Sequence, residues 1–396
     1  MDEIYLDNAA TTRVLPEVIS LMSEVMGEDY GNPSSLHSKG FAAEKRIREA
    51  KESIARTLHA DEKSIIFTSG GTESNNQALI GTAYAYARQG KHIITTAYEH
   101  PSVHEPLIWL ESQGYEVTYL PVESDGHPDP DRLRSALRPD TILVSVMMVN
   151  NEIGAIQDIA SLAKIVKEYS PDIRFHTDAI QAYGKLPIYP KRLGIDLMSV
   201  SGHKLHGPKG VGFLYVDGGK LGPYIHGGHQ QKNMRSGTEN VPGIAGFGLA
   251  ARLACTDIDK KRERVAKLSN AFIKNVTRIE DVVVHGREYD ISASEANTGY
   301  EDTYSPYIIS LGVRGVRAEV LLHALEEKGI SVSSGSACST NHPGISDTLT
   351  AIGVGKDHLD STIRISLSGY TTEEELDAAA KALGELIPVL RRFTRR

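Results

Sequence analysis

The chain has 396 residues, 24% charged and 40% hydrophobic, with 43 Lys+Arg against 51 Asp+Glu and a net charge of −8. This is the balance of a folded globular protein, and with no Lys/Arg block it excludes one held mainly by nucleic-acid phosphates. Two cysteines, Cys255 and Cys338, exclude a disulfide framework or a cysteine-rich zinc site, and an acidic start with no membrane-length apolar run predicts a cytoplasmic protein without a membrane anchor.

In chain order, Pro16–Met26 and Lys39–Leu58 read as helices. From there to about residue 216, apolar runs rich in β-branched residues alternate with stretches of helical period. The strands predicted are Ser64–Thr68, His92–Tyr98, Glu116–Val122, Thr141–Val149, Arg174–Asp178, Leu197–Ser201 and Gly210–Val216. Between them lie helices such as Glu73–Gln89, with Ala78, Leu79, Thr82, Ala83 and Tyr86 on one face, and Ile159–Tyr169, stopped by Pro171. The alternation predicts an α/β fold with a mostly parallel, seven-stranded sheet. After Pro242 the pattern becomes a long helix-forming stretch, Gly243–Val276, strands at Val282–His285 and Tyr307–Val313, a helix Ala318–Lys328 ended by Gly329, and a strand Ser361–Ser368: a second, smaller α+β domain. Thr372-Glu373-Glu374-Glu375 is a capping box opening a final helix.

Chemistry concentrates where strands end. Ser69-Gly70-Gly71-Thr72-Glu73 follows a strand and opens a helix, which suits either a phosphate at the helix N-terminus or a simple capped turn. Asp178 closes a predicted strand, where sites form in open α/β sheets, and a carboxylate there can hold a proton on a pyridine nitrogen. Ser201-Gly202-His203-Lys204 ends the next strand, so Lys204 is a Schiff-base candidate or a phosphate-pairing or solvated lysine. Phosphate loop, strand-end Asp and Lys in that order form the constellation of a pyridoxal phosphate enzyme. His100, in Glu99-His100-Pro101-Ser102, is placed either to stack on such a ring and move protons or to serve structurally. Asn150-Asn151-Glu152-Ile153-Gly154 is a ligand-bonding turn or a plain one. Arg364, alternating with apolar residues on its strand, suits a carboxylate clamp or an ion pair.

Ser333–Gly344 is small and polar, and it predicts a mobile loop with Cys338 accessible as a nucleophile. Cys255 lies in an apolar helical pattern and reads as core. The spacings His203/His206 and His226/His229 lack accompanying acidic or cysteine ligands, so no metal is expected.

The ordered set Tyr5–Thr12, Gly31–Ser35, Phe67–Asn76, Asn150–Gly154, His176–Gln181, Ser201–Gly212, Arg235–Asn240 and Ser333–Cys338 resembles the cysteine desulfurases, fold-type I pyridoxal phosphate enzymes of the class V aminotransferase superfamily. The form Ser334-Gly335-Ser336-Ala337-Cys338 resembles the group with an extended cysteine loop. The resemblance implies Lys204 as the Schiff-base lysine, His100 stacked on the ring, Asp178 on the pyridine nitrogen and Gln181 on the phenolic oxygen. It implies Gly71, Thr72, Ser201 and His203 on the phosphate, joined by Thr238 from the other subunit of a homodimer. Asn151 and Arg364 would orient L-cysteine, and Cys338 would take its sulfur as a persulfide, leaving L-alanine. The chain departs from the pattern of its relatives within Gly227–Asn233 before the Arg235 motif and at His342–Asp347 after Cys338.

The pattern along the chain predicts a division into an N-terminal segment (1–15), helices packing with the small domain (16–58), a large cofactor-binding domain (59–255) and a small domain carrying the cysteine loop (256–396). The sulfur acceptor would be a tRNA-thiolating enzyme or an iron–sulfur scaffold. The former is favoured because the chain stops at Arg391–Arg396 without the docking tail of scaffold-serving relatives. A selenocysteine lyase, a cysteine-independent β-lyase and a non-catalytic partner subunit are the rival readings.

Overall fold

The computed structural model describes residues 3–287, 303–334 and 346–394. Its strands, in chain order, are β1 (Ile4–Tyr5), β2 (Ile65–Thr68), β3 (His92–Thr96), β4 (Glu116–Leu120), β5 (Thr141–Ser145), β6 (Arg174–Asp178), β7 (Leu197–Ser201), β8 (Gly212–Val216), β9 (Val282–Val284), β10 (Ile308–Val313), β11 (Ile330–Ser331), β12 (Ser333–Ser334) and β13 (Thr362–Ser366). Seven of them form the main sheet in the order β2-β8-β7-β6-β5-β3-β4. β4, β3, β5, β6 and β7 pair in parallel, and β8 runs against both β7 and β2. Strands such as Ile-rich β3 and β5 are buried on both faces, which is why they read as continuous apolar runs rather than alternating ones.

The helix Gly71–Tyr86 is buried nearly all round, with Ala78, Leu79, Thr82, Ala83 and Tyr86 all inside, because it is packed against both the sheet and the helix Pro101–Ser112. Ile159–Tyr169 has the predicted bounds; Asp158 caps it by accepting the Ser161 N–H, and it buries Ile159, Leu162, Ala163 and Val166. β5 ends four residues before the predicted Val149. The chain nonetheless stays extended beside β6, with Val146 N donating to His176 O and Met148 N to Asp178 O, and this carries Met147 and Val149 past the strand ends.

The smaller sheet is antiparallel in the order β12-β13-β10-β9, and the separate pair β1-β11 is parallel. Thr372 and Glu375 exchange the reciprocal bonds of a capping box before the helix Glu373–Thr394.

Two arrangements differ from the expectation. The long helix-forming stretch is two helices, Val241–Cys255 and Ile258–Val276, meeting at 69°. Thr256 is extended and Asp257 is left-handed (φ 50°), and neither residue is the Gly or Pro that would announce a break. The first helix is apolar and buried, whereas the second shows charge on one face, so tertiary packing rather than local propensity decides the turn. The N-terminal helices, Pro16–Glu28 and Ser38–Leu58, pack chiefly on Val241–Cys255 rather than on the smaller sheet. A Cβ on Gly248 would lie 2.7 Å from Ala50 Cα, so glycine permits that close helix contact. It is the segment before them that joins the C-terminal part, through β1 on β11 and the bridge Asp7–Ser366.

Among the described residues no single helix is long and apolar enough to cross a membrane, and no three or more His, Cys, Asp or Glu side chains cluster as for a metal.

Candidate active site

The parallel strands end on one edge of the sheet, and a cavity of about 240 Å³ opens there. Its lining gathers Gly71, Thr72, His100, Asn151, Asp178, Gln181, Ser201, His203 and Lys204, together with Ser102, Met147, Val149 and Ile180. Residues spread over more than a hundred positions converge because β6 and β7 are neighbours in register, Asp178 opposite Ser199, with the turn to Lys204 directly following Ser201.

At one end, Gly70 and Gly71 lead into the helix Gly71–Tyr86. Gly70 adopts φ 150°, and a Cβ on Gly71 would sit 2.1 Å from Ile180 Cδ1. Glycine thus leaves room at a helix N-terminus flanked by the Thr72 and Ser201 hydroxyls, which is donor chemistry suited to a phosphate. Burial and nearby lysines push His203 down to about 4, so its ring is neutral, with Nδ1 3.2 Å from Thr11 Oγ1.

At the other end Asp178 is fully enclosed. Burial raises its pKa, opposed by His100, the Ile180 N–H (2.9 Å), the Asn75 amide (2.8 Å to Oδ2) and Lys204. Burial likewise lowers His100. Lys204 Nζ donates to the carbonyls of Ala9 (2.5 Å) and Ala10 (2.7 Å), and Gln181 Nε2 donates to Ala9 O (2.9 Å). The N-terminal segment is therefore a wall of the site. Arg364, buried on β13, donates to Asn151 O (3.0 Å) and pairs with Asp7 (2.9 Å), while its Nε has no partner. That buried, unpaired donor beside a cavity-lining residue suits a carboxylate. The amine, acid, phosphate cradle and imidazole together fit pyridoxal phosphate.

Two predicted residues stand apart. Thr238 is exposed and outside the cavity lining, and Cys338 lies outside the described residues. Cys255 is half-buried against the core, and burial pushes its thiol up, away from reactivity.

Several neighbours carried no sequence signal of their own. Lys185 is a buried lysine, donating to Gln181 Oε1 (3.2 Å) and lining with Lys204 a small adjoining cavity; burial, Lys204 and Arg364 push it down to about 7. Asn75 and Ser102 link Asp178 to His100. Only their place in the quoted motifs marked them, since an isolated Asn or Ser in a helix pattern is commonplace.

Glu99 is also enclosed. Its Oε1 accepts from Thr96 Oγ1 (2.6 Å) and Met147 N (2.9 Å), Oε2 has no partner, and burial pushes the carboxyl up to about 8. Because the folded value lies above the unfolded one, this group's stability contribution is full below the unfolded pKa and is lost as pH rises through about 8. Glu99→Gln removes that ionisation. Its melting temperature relative to wild type is therefore expected to climb by roughly 2–5 °C between about pH 5 and pH 9. Parallel thermal melts check this, and a constant offset would mean that Glu99 does not titrate there.

Known proteins match nearly the whole chain. Residues 4–379 match the family "Aminotransferase class-V". The chain is 46% identical over 391 residues to "Cysteine desulfurase IscS" of Dictyoglomus turgidum, covering 98% of this chain and 95% of that one. It is 43% identical to "Putative cysteine desulfurase IscS 1" of Bacillus subtilis, covering 98% and 99%. Among solved structures, a "NifS-like protein" superposes with a TM-score of 0.89 at 35% identity over 98% of this chain and 100% of that one. One titled "SspA in complex with cysteine" has a TM-score of 0.77 at 32% identity over 93% and 99%. With a near-complete family match, close full-length relatives and a shared fold, the chain belongs to the aminotransferase class-V family, as one of its pyridoxal phosphate-dependent cysteine desulfurases.

Proposed function

We propose that the cavity holds pyridoxal 5′-phosphate and L-cysteine, and that the sulfur leaves as a persulfide on Cys338 for an acceptor protein. The observation that carries this is the convergence of Lys204, Asp178, His100 and the Gly71-Thr72 cradle on one cavity, with the Arg364 guanidinium held beside it. The solved relative whose title names cysteine supports the substrate.

When bound, the cofactor supplies an electron sink that loosens the substrate Cα–H bond. Gly71, Thr72, Ser201 and His203 hold its phosphate, Asp178 its ring nitrogen, Gln181 its phenolic oxygen, and Lys204 is the amine for its aldehyde carbon. Asn151 and Arg364 orient the substrate through its carboxylate. The Cys338 thiolate takes the sulfur atom, and the C–S electron pair stays with the β-carbon, where a proton replaces sulfur to give alanine.

Residues 59–255 provide the cofactor site and 256–396 deliver the cysteine. A homodimer completes it: Thr238 is exposed and outside its own cavity, and Tyr30, Leu36 and Phe41 are exposed apolar side chains awaiting cover.

The test is to supply the purified, cofactor-loaded protein with L-cysteine and measure alanine and protein persulfide together. Equal amounts in the first turnover are expected; alanine without persulfide on Cys338 would overturn the role given to that cysteine. Offering the labelled persulfide enzyme a tRNA-thiolating enzyme and an iron–sulfur scaffold in competition identifies the acceptor.

A further inference from the structure

We infer that Asn75 and Ser102 are positioning residues that lock His100 into the tautomer carrying its proton on Nε2 and tie that ring to Asp178. The inference rests on the cavity assigned above and adds two residues to those given a role there.

The donor directions follow from groups whose chemistry allows one role. The Ser102 backbone N–H can only donate, and it points at His100 Nδ1 from 3.1 Å, so Nδ1 offers a lone pair there and carries no proton. Ser102 Oγ lies 2.8 Å from the same Nδ1. Its role is set one step further back by Asn75, whose Nδ2 is 2.9 Å from Ser102 Oγ and 2.8 Å from Asp178 Oδ2. Flipping that amide would press the Asn75 oxygen against the Asp178 carboxylate, acceptor on acceptor, so nitrogen faces both. Asn75 then spends one N–H on Asp178 and the other on Ser102 Oγ, and the Ser102 hydroxyl proton is left for His100 Nδ1. Asp178 Oδ1 takes the Ile180 N–H, which fixes the carboxylate from its other side.

Three elements meet in this relay. Asn75 lies on the helix that opens at the Gly71-Thr72 cradle, His100 and Ser102 begin the helix Pro101–Ser112, and Asp178 ends β6. Asn75 is wholly buried, and its Oδ1 has no partner. An orphaned acceptor is costly, and it is tolerated here alongside two directed N–H bonds. Burial also lowers the His100 pKa, in keeping with a neutral ring. The consequence is that His100 presents Nε2–H to its surroundings as a hydrogen-bond donor while its basic lone pair faces Ser102. Proton uptake at Nδ1 requires the lone pair to be released by both Ser102 donors, the hydroxyl and the backbone N–H.

Nitrogen-15 NMR of histidine-labelled holoenzyme reads the tautomer directly, with the His100 signals assigned by their loss in His100→Gln. A neutral ring protonated on Nε2 is expected at neutral pH; a proton on Nδ1, or an imidazolium, would overturn the inference. Because this readout needs no turnover, its failure is distinct from failure of the desulfurase reading, which would appear as absent alanine. In kinetics, Asn75→Ala is expected to lower kcat by about ten- to a hundredfold with KM for cysteine changed less than about threefold. Ser102→Ala should lower kcat by about tenfold, and Ser102→Thr, which restores a hydroxyl, should recover most of it. If Asn75→Ala does not fold, the Ser102 pair decides alone. Unchanged kcat in folded Asn75→Ala or in Ser102→Ala would overturn the positioning role.

Discussion

Lys204→Ala is expected to abolish the visible absorbance of the cofactor-loaded protein and to lower turnover by at least about a thousandfold. The side chain springs from the short turn after β7, and its Nζ rests on the Ala9 and Ala10 carbonyls at the cavity wall. An alanine there leaves the cradle and Asp178 intact but removes the only lysine lining the 240 Å³ cavity among the described residues. Among the described residues Lys185 is the neighbouring lysine able to compensate, because burial lowers its pKa and favours a neutral amine. It stands behind Gln181, to which it donates, and is not in the cavity lining. Any residual absorbance in Lys204→Ala should therefore vanish in Lys204→Ala/Lys185→Met. Wild-type absorbance and turnover in Lys204→Ala would move the reacting amine elsewhere. Absorbance spectra and alanine release measured on the same samples decide between these outcomes.

Cys338→Ser is expected to separate two halves of the reaction. Lys204, Asp178, His100 and Arg364 are untouched, so L-cysteine should still perturb the absorbance spectrum at wild-type concentrations. Alanine and persulfide should fall together by at least about a hundredfold, since a hydroxyl is a far poorer sulfur nucleophile than a thiolate. Cys255 cannot take over: its thiol is pushed up by burial, beside Tyr183 and Thr57 and away from the cavity lining. Stopped-flow absorbance gives the first half and alanine quantification the second. Alanine at the wild-type rate would mean that sulfur passes to an acceptor other than this cysteine, pyruvate with sulfide would mark elimination as in a β-lyase, and selenide release from selenocysteine by the same variant would point to a selenocysteine lyase.

The order of strands and helices between residues 65 and 216 was legible in the amino-acid sequence because the strands are short apolar runs, all but β4 buried on both faces, and the breaks carry their own punctuation. β6 and β7 have the predicted bounds, as does the helix Ile159–Tyr169, capped by Asp158 and stopped near Pro171. The strand-end positions of Asp178 and Lys204 were legible for the same reason, and the capping box at Thr372 is a signal complete within four residues. Such features depend on neighbours in the chain, so a local window contains them.

What local windows do not contain was decided by tertiary structure. The turn at Thr256-Asp257 has no Gly or Pro, and it forms because an apolar helix must stay buried under the N-terminal helices while the charged one after it must not. Ala9 and Ala10 offer only backbone carbonyls, which any residue has; they meet Lys204 because β1 and Asp7 are tied to β11, β13 and Arg364, more than three hundred residues away in the chain. Asn75, Ser102 and Lys185 acquire their roles only when three strand ends and two helix starts close around one cavity, because a polar side chain's function there is set by which buried partner it is forced to satisfy. Residue types and their order were enough to specify the chemistry of this protein; the directions of its protons and the walls of its site arise from packing between segments that no stretch of sequence holds together.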